Sequence, residues 1–184
     1  MKPWKELLCK AYEVAIQSKD PSTQNGALIV QSATHKDTYD ILGRDYNRFP
    51  NGILDTRERW ENRALKYKYV QHAERTLIET TRRAHQLSHL DGLTMVCPWA
   101  ACSECAKEII QSGISRLVVH KEAHDHGIEA EREAIAAGKL DRKIWSEDIE
   151  TAFNMFREVG IEIIMFQGPV SGQVIKFKGK DFHP

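Results

Sequence analysis

The 184-residue sequence lacks an excess of either charge, because 26 lysines and arginines balance 26 aspartates and glutamates. A protein that follows a long phosphate backbone usually carries a clear basic excess, so a long nucleic acid is not an expected partner. No apolar run approaches the ~20 residues that span a bilayer, and the first residues show no signal-peptide pattern. We therefore expect a cytoplasmic protein that does not associate with membranes.

Internal repeats, low-complexity tracts and Gly/Ser-rich linkers are also absent. Two domains would be cramped at this length, so residues 1–184 are predicted to form a single domain. Cysteine is scarce, with four residues. In a cytoplasmic protein these are expected to be reduced, and metal binding or catalysis is the first role to consider. Three of them, Cys97, Cys102 and Cys105, fall within nine positions.

Hydrophobic periodicity predicts helices alternating with strands. The predicted strands cover residues 26–30, 38–42, 93–97, 116–120 and 161–166, and the predicted helices cover 3–18, a short segment after Asp55 or Thr56, 72–84, 102–112 and 149–159. This order favours an α/β fold, a three-layer α/β/α sandwich around a mixed central sheet of about five strands. The polar stretch 121–143 lacks clear periodicity and is expected to be a loop insertion. Residues 168–184 are expected to be a C-terminal tail, with 174–177 as a candidate edge strand.

The pattern richest in chemistry is His72-Ala73-Glu74, followed 30 positions after the histidine by Cys102-Ser103-Glu104-Cys105. Zinc binds imidazole nitrogen and thiolate sulfur, and three protein ligands leave its fourth position open to water. The two cysteines can reach one ion from the first turn of a helix, where the helix dipole favours the thiolate form. His72, Cys102 and Cys105 are therefore the predicted ligands of a Zn²⁺ cofactor.

Glu74 is the predicted catalytic residue of this site. Two positions after the histidine, its carboxylate can reach the open face of the metal without being a ligand. Such a carboxylate can take a proton from the activated water and pass it to a ring nitrogen and then to a leaving amine. A His-x-Glu with a remote Cys-x-x-Cys thus supplies what hydrolytic removal of an aromatic amine requires.

These motifs are a known signature of zinc nucleobase deaminases. Over most of its length the sequence resembles the cytidine and deoxycytidylate deaminase family, and the stretches that carry the resemblance are Ser18–Ala27, Tyr46–Pro50, His72–Arg75 and Glu104–Ile114. The first two look like the deoxycytidylate branch. The resemblance implies hydrolysis of a cytosine nucleotide, with dCMP deaminated to dUMP and ammonia. It also implies that Asn47 holds the nucleoside and that the Ala73 N–H contacts the base.

The resemblance further implies a homo-oligomer, often a hexamer, activated by dCTP and inhibited by dTTP. One departure concerns the first cysteine ligand, which the family usually places directly after a proline. Here Trp99, Ala100 and Ala101 stand between Pro98 and Cys102. Because of this departure, the sequence does not determine the shape of the pocket. Trp99 either lines the pocket or packs in the core.

The sequence also does not determine which residues contact the phosphate or which compound is the substrate. Ser22 and Thr23, or basic residues between Arg44 and Lys68, are candidates to meet the phosphate. The same chemistry would serve dCTP, a 5-modified dCMP, a pterin-like ring or an adenosine in RNA, and a non-catalytic zinc-stabilised module is the alternative from another class. Four further residues are interpreted as structural or solvated: Cys9 and Cys97 as apolar fillers, and His124 and His126 as exposed loop residues.

Overall fold

A computed structural model describes residues 3–33, 38–139, 144–170 and 172–184. The helices within these ranges are α1 Trp4–Ala15, α2 Arg57–Glu61, α3 Arg63–Tyr69, α4 Ala73–His85, α5 Ser103–Ser112, α6 Lys121–Ala136 and α7 Trp145–Glu158. The strands are β1 Gly26–Ser32, β2 Tyr39–Tyr46, β3 Thr94–Val96, β4 Arg116–His120, β5 Glu162–Phe166, β6 Ile175–Phe177 and β7 Lys180–Phe182. Among the helices so described, none has the length and apolar character needed to cross a bilayer.

The central sheet has five strands in the order β2-β1-β3-β4-β5. Strand β1 pairs antiparallel with both β2 and β3, whereas β3, β4 and β5 run parallel to one another. The parallel connections are made by α5 between β3 and β4, and by α6 and α7 between β4 and β5. The predicted α/β fold with a mixed central sheet is therefore confirmed.

Side chains of the sheet alternate between two hydrophobic cores, as the period of two along a strand requires. In β1, Ala27 and Ile29 point into one core, which also receives α4, α5 and α7. Leu28 and Val30 point into the other core, which is covered by α1 and receives Ala123 of α6. Helices thus pack on both faces of the sheet, and the three-layer arrangement follows from this alternation.

The expectation that residues 121–143 form a loop insertion is wrong, because Lys121–Ala136 form helix α6. The inward face of this helix carries His124, Gly127 and Glu131 among its apolar residues. Polar residues on the buried face obscure the hydrophobic period from which a helix is predicted. Ala, Glu and Arg, which are strong helix formers, make up nine of its 16 residues. The last part of the expected loop, residues 140–143, lies outside the described residues.

The expected C-terminal tail contains a hairpin instead of an extension of the central sheet. Strand β6 pairs antiparallel with β7 in a separate two-stranded sheet, so the interpretation of 174–177 as an edge strand is wrong. Lys178 and Gly179 make the tight turn with positive φ angles of 49° and 80°. The hairpin packs its aromatic residues against Trp99 instead of continuing the sheet.

Candidate active site

Two helix N-termini bring the predicted metal ligands together. His72 is the N-cap residue of α4, and Cys102 is the N-cap residue of α5, with Cys105 in the first turn of that helix. Both N-cap residues have extended backbone conformations, which turn the chain from a loop into the helix. Helices α4 and α5 pack side by side on the same face of the sheet, so their first turns meet.

The geometry of the three side chains fits a zinc ion. His72 Nδ1 lies 3.5 Å from Cys102 Sγ and 3.4 Å from Cys105 Sγ, and the three ligand atoms all lie within 4.8 Å of one another. A tetrahedral ion bonded at about 2.05 Å to nitrogen and about 2.3 Å to sulfur separates those atoms by about 3.5 Å. Cys102 and Cys105 are free thiols, so neither of these sulfurs is held in a disulfide.

Glu74 lies beside this group in an enclosed environment. The residue is 2% exposed, and its Oε2 atom has no hydrogen-bond partner among the described residues. Burial raises the pKa of the Glu74 carboxyl. A hydrogen bond from the Cys105 thiol lowers the pKa of Cys102 to about 4, against the opposing effect of burial. The site thus places a thiol with a lowered pKa beside a carboxyl with a raised pKa.

A short backbone bridge connects the histidine to a second predicted residue, Asn47. Arg48 and Gln71 exchange two backbone hydrogen bonds, of 3.2 and 2.9 Å, and so fix the positions of Asn47 and His72, their neighbours in the chain. The Asn47 side chain accepts the Asn25 N–H at 2.8 Å and donates to the Thr23 carbonyl at 2.9 Å. Asn47 thus holds the entry of β1 in place at the edge of the site.

Asp20 organises the loop that contains Ser22 and Thr23. Its Oδ1 atom accepts the Ser22 N–H at 2.8 Å, the Ser22 hydroxyl at 2.9 Å and the Thr23 N–H at 3.2 Å. The same atom lies 2.7 Å from the ammonium of Lys66, a buried residue of α3 that also contacts the Ser22 hydroxyl. The loop therefore presents hydroxyl groups around a buried ion pair.

A cavity of about 450 Å³ joins these features. Of the residues predicted from the sequence, the following line it: Ser22, Thr23, Asn47, His72, Ala73, Glu74, Trp99 and Cys102. Cys105 is fully buried behind them. From the basic segment between Arg44 and Lys68, Arg63 and Lys66 line the cavity.

The rest of the cavity wall comes from elements that the sequence patterns did not place there. Helix α6 contributes His124 and Glu131, the first turn of α7 contributes Trp145, and the C-terminal hairpin contributes Phe177 and Lys178. His124 is half-buried, with an unpaired Nδ1 atom among the described residues, so its interpretation as an exposed loop residue is wrong. The imidazole of His72 lies 6.2 Å from the Trp145 ring.

Trp99 both lines the cavity and packs in the core, whereas Cys97 is buried in the core. The Trp99 ring stacks on Phe177 at 4.2 Å, and its indole N–H donates to the Gln24 carbonyl at 3.2 Å, so it packs in the core while it lines the cavity. Cys97 is fully buried, as expected of a filler, and its thiol pairs with the Asn25 side chain at 3.3 Å. Cys9, by contrast, is partly exposed.

Comparison with known proteins agrees with this geometry. The family model described as the cytidine and deoxycytidylate deaminase zinc-binding region matches residues 1–121. A protein named deoxycytidylate deaminase from Mus musculus is 31% identical over 188 residues, covering 98% of this chain and 89% of its own length. The Homo sapiens protein of the same name is 35% identical over 133 residues, covering 69% and 70%.

Solved structures share the fold at lower identity. The dCMP deaminase of the cyanophage S-TIM5, in a structure described as a complex with dCMP and dUMP, is 20% identical with a TM-score of 0.57. The match covers 90% of this chain and 99% of that chain. On the family match and on the identity to the mammalian relatives, the chain belongs to the cytidine and deoxycytidylate deaminase family.

Proposed function

We propose that this protein deaminates a cytosine nucleotide by zinc-dependent hydrolysis, converting dCMP to dUMP and ammonia. The observation that carries the proposal is the buried, unpaired Glu74 Oε2 beside the His72, Cys102 and Cys105 ligand group. A structural zinc site has no need of a carboxylate at its side. The names of the mammalian relatives, and the ligands named for the cyanophage structure, support dCMP as the substrate.

When it is held by His72, Cys102 and Cys105, zinc supplies a Lewis acid that makes water acidic near neutral pH. Glu74 accepts a proton from the attacking water and delivers it to N3 of the cytosine ring as the water oxygen bonds to C4. Glu74 then passes the second water proton to the amino group, the C4–N bond breaks, and ammonia leaves uracil behind. The enclosed position of Glu74 keeps bulk water from exchanging these protons.

We assign residues that line the cavity to the parts of the substrate. The Ala73 N–H is among the first N–H groups of α4, which have no partner within the helix, and it is assigned to the base. Asn47 is assigned to the nucleoside, and Trp99 to the cavity wall beside it. The loop of Ser22 and Thr23, whose backbone N–H groups are held by Asp20, is assigned to the phosphate.

We also propose the domain organisation, the cellular location and the oligomeric state of this protein. Residues 1–184 act as one deaminase domain, since the cavity takes residues from Asp20 to Gly179. The free thiols of Cys97, Cys102 and Cys105 favour a cytoplasmic location. Family resemblance supports a homo-oligomer, with a hexamer as the expected form, activated by dCTP and inhibited by dTTP.

Replacement of Glu74 tests the catalytic assignment. Glu74→Gln keeps the size of the side chain but cannot accept the proton, so we expect zinc content to be unchanged and kcat for dCMP to fall by at least ~100-fold. Glu79→Gln is the matched control, because Glu79 lies on the same helix in an exposed ion pair with Arg83. Retained turnover in Glu74→Gln would remove the carboxylate from the mechanism.

A side-by-side assay of dCMP, CMP, dCTP, deoxycytidine and adenosine, followed by ammonia release, tests the substrate. The proposal requires dCMP to have the highest kcat/KM of the panel. Repeating the dCMP assay with dCTP and dTTP, together with sedimentation of the same samples, tests the regulation and the oligomer. Absence of turnover on every compound, with zinc bound, would favour a non-catalytic module.

A further inference from the structure

The C-terminal hairpin is fastened to the loop that is assigned to the phosphate. The Gln24 N–H donates to the Lys176 carbonyl at 2.9 Å, and the Lys176 N–H donates to the Gln24 side-chain oxygen at 2.9 Å. At the hairpin turn, the Gly179 N–H donates to the Ser22 carbonyl at 2.8 Å. The hairpin is therefore a fixed part of the cavity wall.

Aromatic packing supports the same position. Phe177 of β6 stacks on Trp99 at 4.2 Å, and Phe182 of β7 lies 5.3 Å from the same ring. His126 of α6 contacts both phenylalanines, at 5.4 and 5.1 Å. These contacts hold the hairpin between the cavity and α6, in a part of the chain beyond the region that the family model matches.

The hairpin turn places Lys178 next to Thr23. The Lys178 N–H lies 3.4 Å from the Thr23 hydroxyl oxygen, and both residues line the cavity. The Lys178 ammonium lies 5.4 Å from the centre of the Phe177 ring, and burial lowers the pKa of this lysine. Lys178 is an exposed residue at the edge of the cavity, so its ammonium is open to an anionic ligand that enters from solvent.

The charges around the cavity distinguish Lys178 from Lys66. Four described cations line the cavity: Arg63, Lys66, Lys139 and Lys178. Lys66 is compensated by Asp20 in the buried ion pair. Of the acidic groups near Lys178, Glu131 is engaged by two backbone N–H groups of α7, and Glu133 is exposed. Lys178, whose backbone N–H lies beside the Thr23 hydroxyl at the cavity wall, is thus suited to bind an anion.

We propose that Lys178 is a substrate-specificity residue whose ammonium binds the 5′-phosphate of the nucleotide, together with the Thr23 hydroxyl. This inference rests on the proposed function, because it assigns a monophosphate to the same cavity. Lys178 takes no part in the proton transfers. Its role is to make the enzyme prefer a nucleoside monophosphate to the nucleoside.

Replacement of Lys178 separates phosphate binding from the chemistry. For Lys178→Met we expect the KM for dCMP to rise by at least about tenfold, as for loss of a charge-assisted hydrogen bond. The kinetic constants for deoxycytidine should stay within about twofold, because that substrate has no phosphate. Lys178→Arg should recover most of the affinity. Lys180→Met is the matched control, because Lys180 is exposed on the same hairpin and is not among the described residues of the cavity wall.

Binding of the products provides a readout that does not depend on turnover. Calorimetry should show that the wild type binds dUMP more tightly than deoxyuridine, and that Lys178→Met loses most of that difference. Equal effects of Lys178→Met on dCMP and deoxycytidine, or no effect on dCMP, would overturn the assignment while the deaminase proposal stands. If the wild type deaminates nothing, the proposed function fails. The lysine assignment is then judged by dUMP binding, and weak or Lys178-independent binding of dUMP would overturn it.

Discussion

The Asn47 side chain contributes to the site mainly by holding the backbone of a neighbouring loop. Its amide is already engaged with the Asn25 N–H, the Thr23 carbonyl and, at 3.3 Å, the Asp20 carboxylate. An amide has two donor hydrogens and two acceptor lone pairs, so one acceptor position is left for a nucleoside hydroxyl. Most of the contribution of Asn47 to the site is therefore the shape of the loop from Asp20 to Asn25.

Asn47→Ala is expected to weaken folding and substrate binding together. The change leaves the buried Asn25 N–H without its partner, which costs about 1–3 kcal/mol of unfolding free energy. The loosened loop should also raise the KM for dCMP. Asn51→Ala is the control, since the Asn51 side chain makes an exposed hydrogen bond to Arg48. Urea unfolding measures the effect, and an unchanged midpoint for Asn47→Ala would show that its hydrogen bonds do not hold the loop.

Residue identities at the centre of the site could be read from the sequence, because zinc ligation and proton transfer depend on few side-chain types at short spacings. His72, Glu74 and the two cysteines are of this kind. Residues of the outer wall depend on contacts between distant segments. Lys178 meets Thr23 across 155 positions, and nothing local to Lys178 indicates that contact. The sequence therefore predicts the chemistry better than it predicts the substrate contacts.

At the scale of elements, Glu131 connects helices α6 and α7 by hydrogen bonds. The buried carboxylate of this α6 residue accepts the Trp145 N–H at 2.6 Å and the Ser146 N–H at 2.8 Å, and so caps the first turn of α7. Capping residues are usually sought directly before a helix, but this one lies 14 positions earlier. The polar stretch around Glu131 gave no helix signal because polar residues on the buried face of α6 obscure its hydrophobic period, whereas the helices with apolar faces were predicted.

Glu131→Gln is expected to destabilise the fold by about 1–3 kcal/mol at pH 7, because a neutral amide replaces the carboxylate at both N–H groups. Burial acts to raise the pKa of Glu131, but the hydrogen bonds from Ser146 and Trp145 outweigh it, and the pKa is lowered. A lowered pKa means that the carboxylate stabilises the fold above its unfolded pKa of about 4.3, and that this stabilisation is lost as pH falls through the folded pKa.

The stability difference between wild type and Glu131→Gln should therefore shrink when unfolding is measured from pH 7 down to pH 3.5. Glu129→Gln is the control on the same helix, where the carboxylate makes an exposed ion pair with Arg132. A difference that stays constant over this range would contradict the assignment of the cap to the charged form.

At the scale of the whole molecule, the metal ligands belong to only one of the two cores. Cys102, Cys105 and Ala73 lie in the core covered by α4, α5 and α7. The opposite core, built on α1 and the alternate residues of β1, contains none of them among its described members. None of the three ligand residues belongs to a strand of the sheet between the two cores. Zinc is therefore expected to add stability to a fold that forms without it.

Zinc removal under reducing conditions should leave a folded protein with a lower melting temperature. A ligand present at a thousand times its Kd stabilises the native state by about 4 kcal/mol, which for a chain of this size corresponds to a shift of roughly 10 °C. Hydrogen exchange should rise mainly at the N-termini of α4 and α5, since those turns lose their shared ion. Cys105→Ser should lose the zinc-dependent shift, whereas Cys9→Ser, far from the ligands in the partly exposed face of α1, should keep it. Global unfolding of the metal-free protein would show instead that the two cores cannot form independently of the ion, and an unchanged melting temperature would show that the three ligand residues do not bind it.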